Sequence, residues 1–254
     1  MNNWIAFQTL LIREVRRFLR IWPQTLLPPA ITMTLYFIIF GNLIGSRIGE
    51  MGGFHYMDYI APGIIMMAVI NNAYANVASS FYSAKFQSHI EELLVAPVPN
   101  YLILAGYVAG GIARGLCVGL IVTVVSLFFT TIEIQHIWIT ISMVVLSAVM
   151  FALGGFINAM YAQSFDEIAI IPTFILTPLT YLGGVFYSIS LLPDFWQNVS
   201  LFNPILYMVN AFRFGMLGVS DIKVEIAFVI IISCIIILAS YALYLLNKGT
   251  GLRH

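Results

Sequence analysis

Charge is what this sequence has least of. Among 254 residues only 9% are Asp, Glu, Lys or Arg, whereas 61% are hydrophobic, and the mean hydropathy is +0.95. A water-facing domain carries about 25% charged residues, so these charges cannot cover a soluble surface. That excludes an ordinary soluble enzyme, a disordered chain and a nucleic-acid binder, which needs a basic patch. Lysine is down to Lys85, Lys223 and Lys248, none of them in a phosphate-cradling G-x-x-x-x-G-K-[ST] loop, so any ATP that drives this protein is bound by another chain. The two cysteines, Cys117 and Cys234, sit in long apolar runs and make neither a disulfide framework nor a metal spacing. His55, His89, His136 and His254 are scattered, with no H-E-x-x-H pair and no G-x-S-x-G elbow. Catalytic residues, bound metal and bound cofactor are therefore all expected to be absent from this chain. The N-terminus lacks the pattern of a cleaved secretory signal, because its first apolar run follows four arginines and has span length.

What is present is long apolar helix. A hydrocarbon layer about 30 Å thick takes roughly 20 apolar residues, and six stretches qualify: 25–44, 60–81, 102–129, 137–160, 169–188 and 226–246. None alternates with period two as a membrane barrel would. The fold class expected is all-α integral membrane, in one domain covering 1–254. Six spans place Arg13, Arg16, Arg17, Arg20, Lys85, Lys248 and Arg253 on one side, and Arg47, Arg213 and Lys223 on the other. Positive loops are retained inside, so both termini are predicted cytoplasmic, in a bacterial inner membrane.

Three further segments carry pattern. Trp4, Phe7, Leu11, Val15, Phe18 and Trp22 recur at helical steps, with Arg13, Arg16, Arg17 and Arg20 on the other side, which predicts an interfacial amphipathic helix within 1–23 touching membrane lipid. Residues 83–99 predict a short amphipathic helix over 85–95 between spans two and three, stopped by Pro97. It is either a plain connector or a knob that docks on a partner. Residues 189–225 are apolar but broken by prolines and asparagines, which suits short re-entrant helices on the outer side. In span three, Gly106 and Gly110, and then Gly111, Gly115 and Gly119, step by four residues and predict close helix packing, within the chain or between chains. Arg114 is the clear charge inside a span: it snorkels or pairs structurally, or else it serves a substrate or a gate.

The run Glu91-Glu92-Leu93-Leu94-Val95-Ala96-Pro97 resembles the E-x-L-L-x-x-P element of ABC-2 type transport permeases. The run from Pro172 through Gly183-Gly184-Val185-Phe186-Tyr187, with Leu192-Pro193, Asn203-Pro204, Tyr207 and Arg213, is similar to that family's C-terminal signature. One departure is that Lys85-Phe86-Gln87-Ser88-His89-Ile90 stands where many members carry E-R-E-x-G-T. The resemblance implies the transmembrane subunit of an ABC exporter for a hydrophobic or amphipathic substrate such as a drug-like compound, a lipid or a lipid-linked glycan. It implies a homodimer with two ATP-binding subunits, which hold the ATP and magnesium. The coupling helix seated on the ATPase would use Lys85, Phe86, Ile90, Glu91, Glu92, Leu93, Leu94 and Pro97, and the arginine-bearing N-terminal helix would also lean on it. Candidates for the pathway or its gate are Arg114, Gly183, Gly184, Phe186, Tyr187, Pro193 and Pro204. Two other classes stay open: a carrier or channel working without an ATPase, which the scarcity of intramembrane acids disfavours, and a membrane assembly subunit.

Overall fold

The computed structural model describes residues 3–95, 97–131 and 134–251. Its helices long and apolar enough to cross a membrane are Trp22–Ile48, Tyr56–Phe86, Asn100–Ser126, Ile137–Tyr161, Phe165–Leu182 and Val224–Lys248, here spans one to six. The all-α membrane architecture expected from the apolar runs is the one observed. Its exception among the described residues is a two-residue hairpin, Glu50–Met51 against Phe54–His55, turned through Gly52 and Gly53 at φ 61° and 83°.

Span two is the hub. Its most apolar window is 89% buried, compared with 18%, 11% and 17% for spans one, five and six. Spans three and four pack on it through small residues. A Cβ on Gly111 would lie 2.5 Å from Val77, one on Gly115 3.0 Å from Ala73, and one on Gly119 2.6 Å from Val69, so span three can approach this closely only where hydrogens replace side chains. Gly106 and Gly110 point elsewhere, toward Leu10 and Glu14 of the N-terminal helix Asn3–Arg20, with a Cβ meeting them at 2.7 and 2.5 Å. The five span-three glycines therefore serve two interfaces inside the chain.

Spans one and five are not regular. Pro28 and Pro29 open the main helix of span one, and its second half, Phe37–Ile44, is π-helical. Span five is π-helical over Pro172–Leu176, between Phe165–Ile171 and Thr177–Leu182. Proline has no N–H to donate and displaces the carbonyl four residues back; the carbonyl freed by Pro172, on Ile168, accepts instead from the Asn158 side-chain amide, 3.0 Å. Span five ends at Leu182, short of the expected 188, because Gly183 breaks it and Gly184 takes a left-handed φ of 69°.

The N-terminal helix packs on the bundle through a face offset from the stripe expected to touch lipid, of which it encloses Phe18. Its buried residues are Ala6, Leu10, Glu14 and Phe18, while Trp4 and Trp22 are 62% and 52% exposed. It runs alongside span three: Asn3 reaches Tyr101, Leu10 meets Gly106, Glu14 meets Gly110, and farther on Arg114 reaches the Thr25 carbonyl. The hollow at Gly106 and Gly110 accepts aliphatic stems and excludes indole rings, so the buried face is turned away from the tryptophans.

Candidate functional site

The chemistry concentrates at the end of the bundle that carries most of the arginines, here the basic end. Span two continues through Lys85 to Phe86, a turn follows at Gln87 and Ser88, and a separate helix runs His89–Val95. The expected single helix over 85–95 is therefore two. The break is Ser88, whose φ of 59° lies in the left-handed region that ends a helix. Ile90, 1% exposed, anchors the short helix into the core formed by spans two, three, four and six. Leu93 packs on its edge, while Glu92, Pro97 and Val95 are exposed, Val95 at 88%. Phe86 is 66% exposed and meets Phe165 edge to face at 5.4 Å. The side chains of Glu91 and Leu94 lie outside the described residues.

Lys85 is not part of that surface. It is buried, and its Nζ donates to the carbonyls of Met160 (3.0 Å) and Ala162 (2.8 Å), closing the ends of spans two and four together. It counts as a structural tie, since a lysine at a helix end faces whichever carbonyls the next helix leaves open. Replacing it as Lys85→Met strips both carbonyls of a charged donor. We expect the purified protein to lose about 1–3 kcal/mol of stability, read as a lowered thermal unfolding midpoint; an unchanged midpoint would show that this seam carries no load.

Above the seam lies a buried polar knot that sequence reasoning missed. Glu14 is 1% exposed; the Ser80 hydroxyl donates to its Oε2 at 2.6 Å, and Arg13 and Arg17 approach it at 3.3 and 3.4 Å. Arg13 also donates to the Tyr107 hydroxyl, 2.8 Å, and Arg17 to the side chain and carbonyl of Asn76, 2.9 and 3.0 Å. Burial works against the Arg13 charge, but Tyr107 and Glu14 outweigh it and raise its pKa above the ordinary arginine value. Arg114 extends the same knot: it turns toward the Asn72 amide oxygen, 3.3 Å, and the Thr25 carbonyl, 3.4 Å. The available signal was Asn72 and Asn76, two amides one helical turn apart inside an apolar span, where polar groups form interhelical bonds.

At the far end, Gly184 and Phe186 belong to a second buried centre. Arg213 is wholly buried, donating through Nε to the Tyr59 carbonyl (3.2 Å) and through Nη2 to the Gly184 carbonyl (2.6 Å), with its guanidinium 4.0 Å from the Tyr59 ring centre. The positions of the basic residues assign it to the outer side but do not reveal its burial. Gly183 packs on Ile205, Phe186 stacks on Phe40 at 4.4 Å, and the Tyr187 hydroxyl donates to the Tyr181 carbonyl, 2.9 Å. The broken segment forms a 3-10 turn, Ile189–Leu191, and two α-helices, Asp194–Ser200 and Pro204–Leu217. Pro193 precedes the first. Pro204 opens the second, where Asn203 caps the Ile205 N–H at 3.0 Å and donates to the Leu179 carbonyl at 2.6 Å. Arg114 and the Gly183–Pro204 group thus occupy different regions and share no site. Among the described residues no cluster of His, Cys, Asp and Glu could hold a metal ion.

Residues 5–217 match the model of a family described as ABC-2 type transporter. The inner membrane transport permease YadH of Escherichia coli strain K12 is 57% identical over 251 residues, covering 98% of each chain. Nodulation protein J of Rhizobium leguminosarum bv. viciae is 21% identical over 185 residues, 72% of this chain and 71% of its own. Nodulation protein J of Neorhizobium galegae is 20% identical over 227 residues, 88% and 86% of the two chains.

Proposed function

We propose a full transport role on one premise: the chain belongs to the ABC-2 type transporter family, and is a transport permease, not the ATPase. The finer reading is a homodimer that exports a hydrophobic or amphipathic substrate, driven by two separate ATP-binding subunits that hold the nucleotide and magnesium. The basic end faces the cytoplasm in this reading, as the retention of positive loops requires. The observation that carries it is the helix His89–Val95, rooted by buried Ile90 and presenting Glu92, Val95 and Pro97 outward. A short helix with a fixed root and an exposed tip is a knob that a cleft can grip. Because Ile90 joins the core of spans two, three, four and six, a push on the tip bears on all of them.

In this mechanism the ATPases close on ATP, the two knobs move together, and the bundle changes between two arrangements with different affinity for the substrate. Spans one, five and six, with mostly exposed apolar faces, supply the surfaces that meet lipid and the second copy. Ile90 positions the knob and does not touch the partner.

The test is Glu92→Ala combined with Val95→Ser, and separately Phe86→Ala. Both sites are exposed, so insertion and yield should match the wild type. Co-purification of the P-loop ATPase and permease-stimulated ATP hydrolysis should each fall at least about fivefold, the ratio set by losing about 1 kcal/mol of contact. Wild-type capture and turnover in both variants would remove the coupling assignment.

A further inference from the structure

A groove of about 750 Å³ opens at the basic end between the N-terminal helix and the end of span two. Arg13, Arg16, Arg17 and Arg20 line it, together with Glu14 as the acidic group and His89. The Glu14 charge is already answered inside the knot by Ser80, Arg13 and Arg17. Arg16 and Arg20 meet no carboxylate among the described residues and line the groove at a spacing of four, one helical turn. Thr9, Ser83 and Gln87 add neutral hydrogen-bonding groups, and Ile12, Ile21 and Ala84 supply apolar wall.

Depth narrows the ligand. Spans two and three have 31 and 27 residues, or about 46 and 40 Å at 1.5 Å per residue. A hydrocarbon layer of about 30 Å covers neither, so their ends stand in the headgroup layer. The groove runs along the last two turns of span two, from Ser80 through Ser83 and Ala84, to Gln87 just beyond its end, and so lies at that level. The exposed Trp4 and Trp22 on the same stretch of chain suit the same depth.

We propose that this groove binds the phosphate headgroup of an anionic phospholipid, with Arg16 and Arg20 as its principal ligands. Guanidinium pairs take phosphate oxygens through two parallel N–H donors each. The apolar wall formed by Ile12, Ile21 and Ala84 then lies where the first methylenes of the acyl chains begin. A cytosolic protein would meet the arginines as an open rim; a recess whose floor reaches Glu14 and Ser80, both nearly excluded from solvent, favours a slender headgroup over a protein surface. The inference stands whether or not the transport reading does.

The test uses the full-length detergent-solubilised protein with phosphatidylglycerol, phosphatidylcholine or soluble glycerol phosphate. Phosphatidylglycerol should raise the unfolding midpoint about 3 °C or more above phosphatidylcholine, as binding to the folded state alone requires. Arg16→Gln with Arg20→Gln should abolish that difference, Arg16→Lys with Arg20→Lys should retain part of it, and Arg47→Gln at the far end should leave it whole. Persistence of the difference in the double Gln variant overturns the proposal. So does an equal shift from glycerol phosphate at the same concentration, which would assign the groove to a soluble phosphate. A double Gln variant that keeps the lipid shift but loses the co-purifying ATPase would assign the arginines to the protein partner. Should that variant unfold without lipid, Arg20→Gln alone is examined by native mass spectrometry. The number of phosphatidylglycerol molecules retained must then fall by one, and an unchanged number overturns the site.

Discussion

Arg213→Ala should leave little monodisperse protein after solubilisation. The guanidinium is fully enclosed, and its loss takes a charged donor from the carbonyls of Tyr59 and Gly184 while opening a void beside the Tyr59 ring. Two hydrogen bonds from a charged group contribute about 1.5–3 kcal/mol each, and the void adds to their loss. A total near 3–6 kcal/mol is a large share of the 5–15 kcal/mol that holds a typical fold together. Arg213→Lys keeps the charge and one bond but loses the flat face over Tyr59, so its unfolding midpoint should fall between the two. The damage should also be local at first: Gly184 would lose the bond that ties its left-handed turn to the helix Pro204–Leu217. Equal midpoints for wild type and Arg213→Ala would refute this account of the far end.

The second large effect is expected from one added methyl group. A Cβ on Gly155 of span four would lie 2.4 Å from the Tyr74 carbonyl oxygen and 3.3 Å from the Ala78 nitrogen, both backbone atoms of span two. Backbone cannot swing aside as a side-chain end can, so Gly155→Ala must separate the two helices along the most buried seam in the molecule. Overpacking of this kind costs about 1–3 kcal/mol, even after the gain of about 1 kcal/mol that alanine offers over glycine in a helix. The neighbouring Gly154 is the control, since its Cβ would meet the Tyr74 ring at an ordinary 3.8 Å. Gly154→Ala should therefore be neutral or slightly stabilising. Thermal unfolding of the two variants side by side decides the matter, and equal losses in both would show that the seam is looser than described.

The pair also shows what could be read in advance. Span three announced its packing through glycines four residues apart, and all five meet a neighbour closely. Gly155 has no glycine four residues away, only Ala159, so the small-residue spacing that separates it from Gly154 is a fainter signal than the glycine series of span three. The six spans and the basic asymmetry were legible, since length and net charge survive without tertiary detail. Glu14 was not. An acid among arginines reads as one more surface charge until Gly110 and Ser80 are brought against it. Lys85 was misplaced because no residue near it signals a helix break; Ser88 adopts a left-handed φ that glycine or asparagine would have advertised. Arg213 counts in the sequence only as one of three basic residues on the outer side, and its spacing does not reveal that Pro204–Leu217 is a helix buried along nearly its whole length.

The wide turns in spans one and five bear on how such a bundle can move. In a π-helical turn the N–H groups bond five residues back, one residue out of step with the rest of the helix. Closing Phe37–Ile44 or Pro172–Leu176 to ordinary spacing would advance the remainder of that span by one position, about 100° of rotation at 3.6 residues per turn. The exposed row of Ile31, Leu35, Ile38 and Ile39 would no longer continue into Leu43 on the same side. In these two lightly buried spans, the side chains shown to lipid and those shown to the bundle are thus set by one extra residue in a wide turn.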